Sequence, residues 1–121
     1  KSTFKQEKLK DYYFDKYTNN FEGFMVAKKE LIRLKKFCLK NNINCHLFLM
    51  PDIHKLNPYE LSFINDKMSK VSKELKYNYL DLLPVFDGQS QKKIWNDYGD
   101  PHPSAYAHEL MANSMFNYLS K

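Results

Sequence analysis

Two short apolar runs, each shut off by a proline, constrain this chain more than anything else in it. Residues 43–50 end at Pro51 and residues 77–83 end at Pro84. Runs this short and continuous read as strands buried on both faces, the kind that a parallel sheet uses when helices cover it. The segments around them are helical in period. Phe24, Ala27, Leu31, Leu34 and Cys38 recur at three- and four-residue steps. Asn41 and Asn42 supply a stop, because Asn tolerates the left-handed conformation. Leu61, Ile64, Met68, Val71 and Leu75 form a second stripe. Its helix is predicted to start with Asn57 as cap, Pro58 in the first turn and Glu60 closing a capping box. A last helix is expected over 104–119, started by Pro103, with Met111, Met115 and Leu119 facing inward. Between Pro84 and Pro103 the pattern predicts a long loop, and loops of that length in a small domain usually carry function. Helix, strand, helix, strand, helix is the alternation of an open α/β sheet. In such sheets ligands bind beyond the carboxyl ends of strands, where Asp52, His54, Asp100 and His102 follow.

The chain has 121 residues, enough for one small domain with a core. No apolar run approaches the ~20 residues that span a bilayer. The N-terminus is charged, with no apolar segment of a secretory signal behind it. The first residue is Lys1 and the first Met is Met25, and we read the chain as part of a longer product. Residues 1–22, rich in Lys, Asp, Tyr and Phe, are expected to form an irregular or short helical arm. The formal net charge is +5, with lysines crowded at Lys1, Lys5, Lys8, Lys10 and Lys16. Clustered cations suit a polyanion, but acidic residues are interspersed and no nucleic-acid motif accompanies them. A solvated lysine-rich face is the favoured reading, and no nucleic-acid partner is expected. Cys38 and Cys45 fit no common zinc spacing. Buried free thiols are expected, with a disulfide as the alternative.

Chemistry concentrates in Asp100-Pro101-His102-Pro103. Histidine is the side chain whose ordinary pKa suits a general base near neutral pH. A carboxylate two residues away can fix its tautomer and stabilise the imidazolium. Spacing alone leaves a second reading open, in which Asp100 and His102 only cap the last helix. Asp97 is a rival carboxylate. Asp52 and His54 are candidates for a substrate edge, and ordinary loop polarity explains them equally well. Trp95, the single tryptophan, suits either stacking on a sugar or a lid over the core, and the lid is favoured. His46 lies inside a predicted strand and reads as a core histidine. His102 and His108 are six residues apart and point to different faces, so no metal site is expected.

The final third resembles the terminal block of the SGNH (GDSL-type) hydrolases. That block has Asp, His and often Pro, then a small polar residue, a Gly and His pair, and an Ala in the helix. Asp100, His102, Pro103, Ser104, Ala107, His108 and Ala112 stand in those places. Ser104 stands where Asn is frequent and Ala107 where Gly is frequent, and the Asp-to-His spacing is the shorter one found in some branches. The strand HLFLMPD, His46 to Asp52, resembles the family's penultimate sheet strand. The resemblance runs over roughly 24–120. It implies a flavodoxin-like three-layer α/β/α fold with a parallel sheet, of which residues 23–121 form the carboxyl-terminal part. It also implies a serine ester hydrolase or O-acyltransferase that needs no cofactor. In that chemistry a serine attacks an ester carbonyl, His102 takes its proton and Asp100 orients His102. The acyl-enzyme then passes its acyl group to water or to a second alcohol. The implied substrates are small-molecule or acetylated-carbohydrate esters. The family's first block, Gly-Asp-Ser, has no counterpart here. Asp87-Gly88-Gln89-Ser90 lacks a Ser next to the Gly and is not expected to open a helix, so Ser90 is rejected as nucleophile. Asn96 and Asn113 do not match the family's oxyanion Asn. The expected partners are therefore the missing amino-terminal part of the parent chain, or a second copy paired through an exposed sheet edge. A binding or assembly module that keeps the fold without catalysis is the alternative. A polyanion-binding surface protein is a third reading.

Overall fold

The computed structural model describes residues 6–121, so Lys1 and Lys5 of the lysine-rich arm lie outside the described residues. The chain mixes helix and strand around a small parallel sheet of two strands. Contacts divide it into two units, Lys1–Leu47 with Glu60–Tyr79, and Phe48–Tyr59 with Leu80–Lys121. The division runs through both strands of the sheet.

In the first unit, helix α1 (Gln6–Phe14) leads through a 3-10 turn, Asp15–Tyr17, into α2 (Glu22–Lys40). Helix α2 ends where the asparagines stand. Asn41 closes it, with its N–H donating to Phe37 O, and Asn42 takes a positive φ of 55°. The exit is tight, since Ile43 N–H returns to Cys38 O at 2.8 Å. That turn brings the Cα atoms of Cys38 and Cys45 to 6.3 Å, and the two are joined in a disulfide rather than held as free thiols. The same exit delays strand β1, which runs only over His46–Leu49. His46 opens the strand on its exposed side and is not a core residue.

Helix α3 (Ser62–Glu74) starts later than its sequence suggested. The Asn57–Pro58 bond is cis, and residues 57–61 form a turn. Leu61, fully buried, occupies the cap position without a side-chain cap. Where Leu61 enters the core sets the start, so Asn57 and Glu60 lie ahead of α3 rather than at its cap and in its first turn. Val71 is buried on the same stripe. Cys38, Cys45 and Tyr77 make a small core with Leu31, Leu47 and Leu75. The Tyr77 hydroxyl donates to Leu31 O at 2.5 Å. Lys28 and Glu74 pair at 2.9 Å, a surface bridge of about 0–1 kcal/mol.

The second unit carries the main core. Ile53, Leu82, Phe86, Ile94, Ala107 and Met111 are buried together, with Phe48, Trp95 and Met115 packed against them. Strand β2 (Asn78–Asp81) runs into Leu82, whose N–H bonds Leu49 O at 3.0 Å. The stretch predicted as a long loop is instead structured. It holds a 3-10 turn at Leu83–Phe86, a short helix α4 (Gln91–Ile94), and an antiparallel hairpin of β3 (Trp95–Asp97) and β4 (Asp100–Pro103). Each piece is too short for a periodic signal; buried Phe86 holds the 3-10 turn and buried Ile94 holds α4. Ser90 stands at the cap of α4, so it does open a helix, though a very short one.

Helix α5 (Ala105–Leu119) begins at Ser104, not at Pro103, which closes β4. The Ser104 hydroxyl accepts from Ala107 N–H at 3.1 Å and donates to Lys93 O at 2.6 Å. Met111 and Met115 face the core as expected. Leu119 does not, at 53% exposure. The inward stripe continues through Tyr118, whose ring meets Phe48 edge-on at 5.8 Å. Among the described residues no helix is long and apolar enough to cross a membrane.

Candidate active site

The hairpin is built to hold one imidazole. Gly99, at φ +85°, makes the turn that a residue with a Cβ would strain, and Tyr98 beside it is fully exposed. Across the turn, Asp97 lies opposite Asp100 and Trp95 opposite Pro103. Strand β4 then reads Asp-Pro-His-Pro. Pro101 pushes Asp100 into extended backbone and Pro103 does the same to His102. Pro101 also has a fixed φ and no N–H to compete for the carboxylate.

Within this locked strand, Asp100 Oδ1 accepts two hydrogen bonds from His102. One comes from the backbone N–H at 3.1 Å and one from ring Nδ1 at 2.5 Å. The other oxygen, Oδ2, accepts from the side-chain amide of Asn96 at 3.0 Å. These donors hold the Asp100 carboxyl down to about 2, from an ordinary 3.8, with Asn96 the largest cause and His102 next. An ionised carboxylate only accepts, so ring Nδ1 carries the proton and the lone pair of the neutral ring lies on Nε2. The dyad is exposed, with the His102 side chain at 86%. Among the described residues no hydroxyl or thiol is bonded to His102.

Asp97 does not pair with His102; its Oδ1 accepts from Tyr98 N–H at 2.7 Å. Trp95 packs on the core and donates its indole N–H to Ile53 O at 2.8 Å, as a lid residue does. It also edges a cleft of about 620 Å³ shared with Gln91, Asn96, Asp97 and Tyr98. Asp52 and His54 form a second pair, with Nδ1 and Oδ1 at 2.6 Å. His108 is exposed on α5, and among the described residues no group of three ligating side chains gathers to hold a metal. The residue that sequence reasoning missed is Asn96. Its sequence context points only to a comparison with the oxyanion Asn, whereas in the fold its amide orients Asp100. The available signal was its position four residues before Asp100, with a glycine turn between.

No protein-family model, no curated protein and no solved structure matches this chain.

Proposed function

We propose that this chain is the carboxyl-terminal part of an SGNH-type serine ester hydrolase or O-acyltransferase. It would act on small acyl esters, with acetylated carbohydrate as the favoured class. In this reading the mixed fold is the second half of a three-layer α/β/α domain. One observation carries the proposal: a carboxylate, itself held by Asn96, fixes the His102 ring with its Nε2 lone pair outward. That is the orientation a general base needs. Its 86% exposure suits a base whose nucleophile arrives on another segment. His102 then takes the proton from the serine hydroxyl as the oxygen attacks the ester carbonyl, and returns it to the leaving alcohol. Asp100 keeps the tautomer and balances the imidazolium charge. The Trp95–Tyr98 edge of the cleft offers aromatic and amide groups of the kind that hold a sugar.

The absence of any hydroxyl on His102 among the described residues favours a second reading, a non-catalytic module that keeps the fold. Turnover of p-nitrophenyl acetate by the longest product of the gene separates the two. The enzyme reading expects His102→Ala to lower kcat by about 10²–10⁴-fold with the fold intact. Unchanged turnover in that variant hands the case to the module.

A further inference from the structure

The second unit holds two Asp-x-His segments, and both fold into the same local geometry. In Asp52-Ile53-His54, the His54 backbone N–H donates to Asp52 Oδ1 at 2.9 Å and ring Nδ1 meets the same oxygen at 2.6 Å. The corresponding distances at Asp100 and His102 are 3.1 and 2.5 Å. The means of locking differ. Pro101 fixes the first dyad by its ring, whereas Ile53 fixes the second by burial, at 3% exposure in the main core.

The second dyad is also held from outside. Trp95 Nε1 donates to Ile53 O at 2.8 Å and Gln91 Nε2 donates to His54 O at 2.9 Å. Trp95 is the residue that lies opposite Pro103, next to His102. One tryptophan therefore clamps one dyad with its indole and flanks the other with its backbone. A solvated surface pair gains about 0–1 kcal/mol and needs no such clamp. The His54 side chain is 44% exposed, so its ring is half sunk, with a side still open to a ligand.

We propose that Asp52–His54 is a hydroxyl-binding site, in which His54 Nε2 accepts a hydrogen bond from a neutral alcohol. With the carboxylate accepting from Nδ1, the neutral ring presents its lone pair, a hydrogen-bond acceptor, on Nε2. The natural ligand of such a group, whose clamp Trp95 also pairs with the strand of His102, is the alcohol that receives the acyl group. That identity rests on the acyl-transfer reading of His102; the hydroxyl-accepting ring does not. His54 is then a positioning residue for the acceptor.

The test uses the full chain, with long-range proton–nitrogen NMR of its four histidines and diethyl pyrocarbonate, which acylates an imidazole lone pair. Glycerol serves as the hydroxyl probe. The expected result is that His54 and His102 both carry the Nδ1 proton and react several-fold faster than His46 and His108. Asp52→Asn slows His54 to the range of His46 and leaves His102 fast; Asp100→Asn does the reverse. Molar glycerol moves the His54 Nε2 resonance in the wild type and not in Asp52→Asn. A His54 ring protonated on Nε2, or one indifferent to glycerol, overturns the proposal. Failure of the Asp100 arm alone removes the reading of His102 and leaves the hydroxyl site standing.

Discussion

The amide of Asn96 and the ring of His102 sit on opposite oxygens of the same carboxylate, Asp100, at 3.0 and 2.5 Å. Neither strand of the hairpin sets this geometry alone. Asn96 comes from β3 and His102 from β4, and the Gly99 turn lets both reach Asp100.

Removing the larger of the two supports should show in the titration of Asp100. In the wild type its carboxyl-carbon resonance is expected to titrate at about 2. Because the folded value lies below the ordinary 3.8, this group favours the fold above about pH 4, and its contribution fades as pH falls toward 2. Asn96→Ala should raise the midpoint toward 3.8 and loosen the hairpin above about pH 4, where the wild-type contribution is full, with the difference vanishing in acid. A midpoint that stays at about 2 in the variant would assign the shift to His102 alone.

Asp100→Asn tests the tautomer. An amide can donate to Nδ1, which lets the ring carry its proton on Nε2 and lose the basic lone pair there. In the longest gene product, p-nitrophenyl acetate turnover should fall by about 10²–10⁴-fold, in kcat more than in KM. The melting temperature should move far less than the rate.

Ser104 links the site to its helix. Its hydroxyl caps α5 through Ala107 N–H and holds the end of α4 through Lys93 O. Ser104→Ala should cost about 1 kcal/mol, roughly 4 °C in the melting temperature of a chain this size. Ser104→Asn, which restores a cap acceptor, should recover part of the loss. Thermal melts of the three proteins decide it.

The Cys38–Cys45 bridge closes a short loop, seven residues apart in sequence. Short loops gain least from cross-linking, and Cys38→Ser should cost about 2 kcal/mol. Ellman's reagent should find no free thiol in the untreated chain. A full count of two thiols without reductant would mean that the cysteines stand reduced.

Much of the frame was legible because it rests on long periods. The helical period of α2 with its asparagine stop, the two short neighbouring strands, and Met111 and Met115 of α5 follow such signals, although Leu34 of the α2 stripe is 49% exposed and neither strand is buried on both faces. What stayed hidden rests on single residues. Leu61 decides where α3 starts, Tyr118 replaces Leu119, and Ile94 holds a four-residue helix in a stretch that carries no period. The dyad could be read from Asp-Pro-His-Pro because the chain writes both partners two residues apart. Asn96 could not, since its link to Asp100 exists only once a turn has formed. The disulfide, where free thiols are the sequence expectation, stays hidden for the same reason: two cysteines meet or miss according to how tightly α2 ends.

The two prolines of β4 have a further effect. A strand grows into a larger sheet by offering backbone amides along its outer edge. Between Pro101 and Pro103 the sole amide is that of His102, and Asp100 already takes it. Strand β4 therefore has no free amide between its prolines with which to recruit a third strand along its own edge. The sequence that aims the imidazole also blunts the β4 edge as a template for pairing.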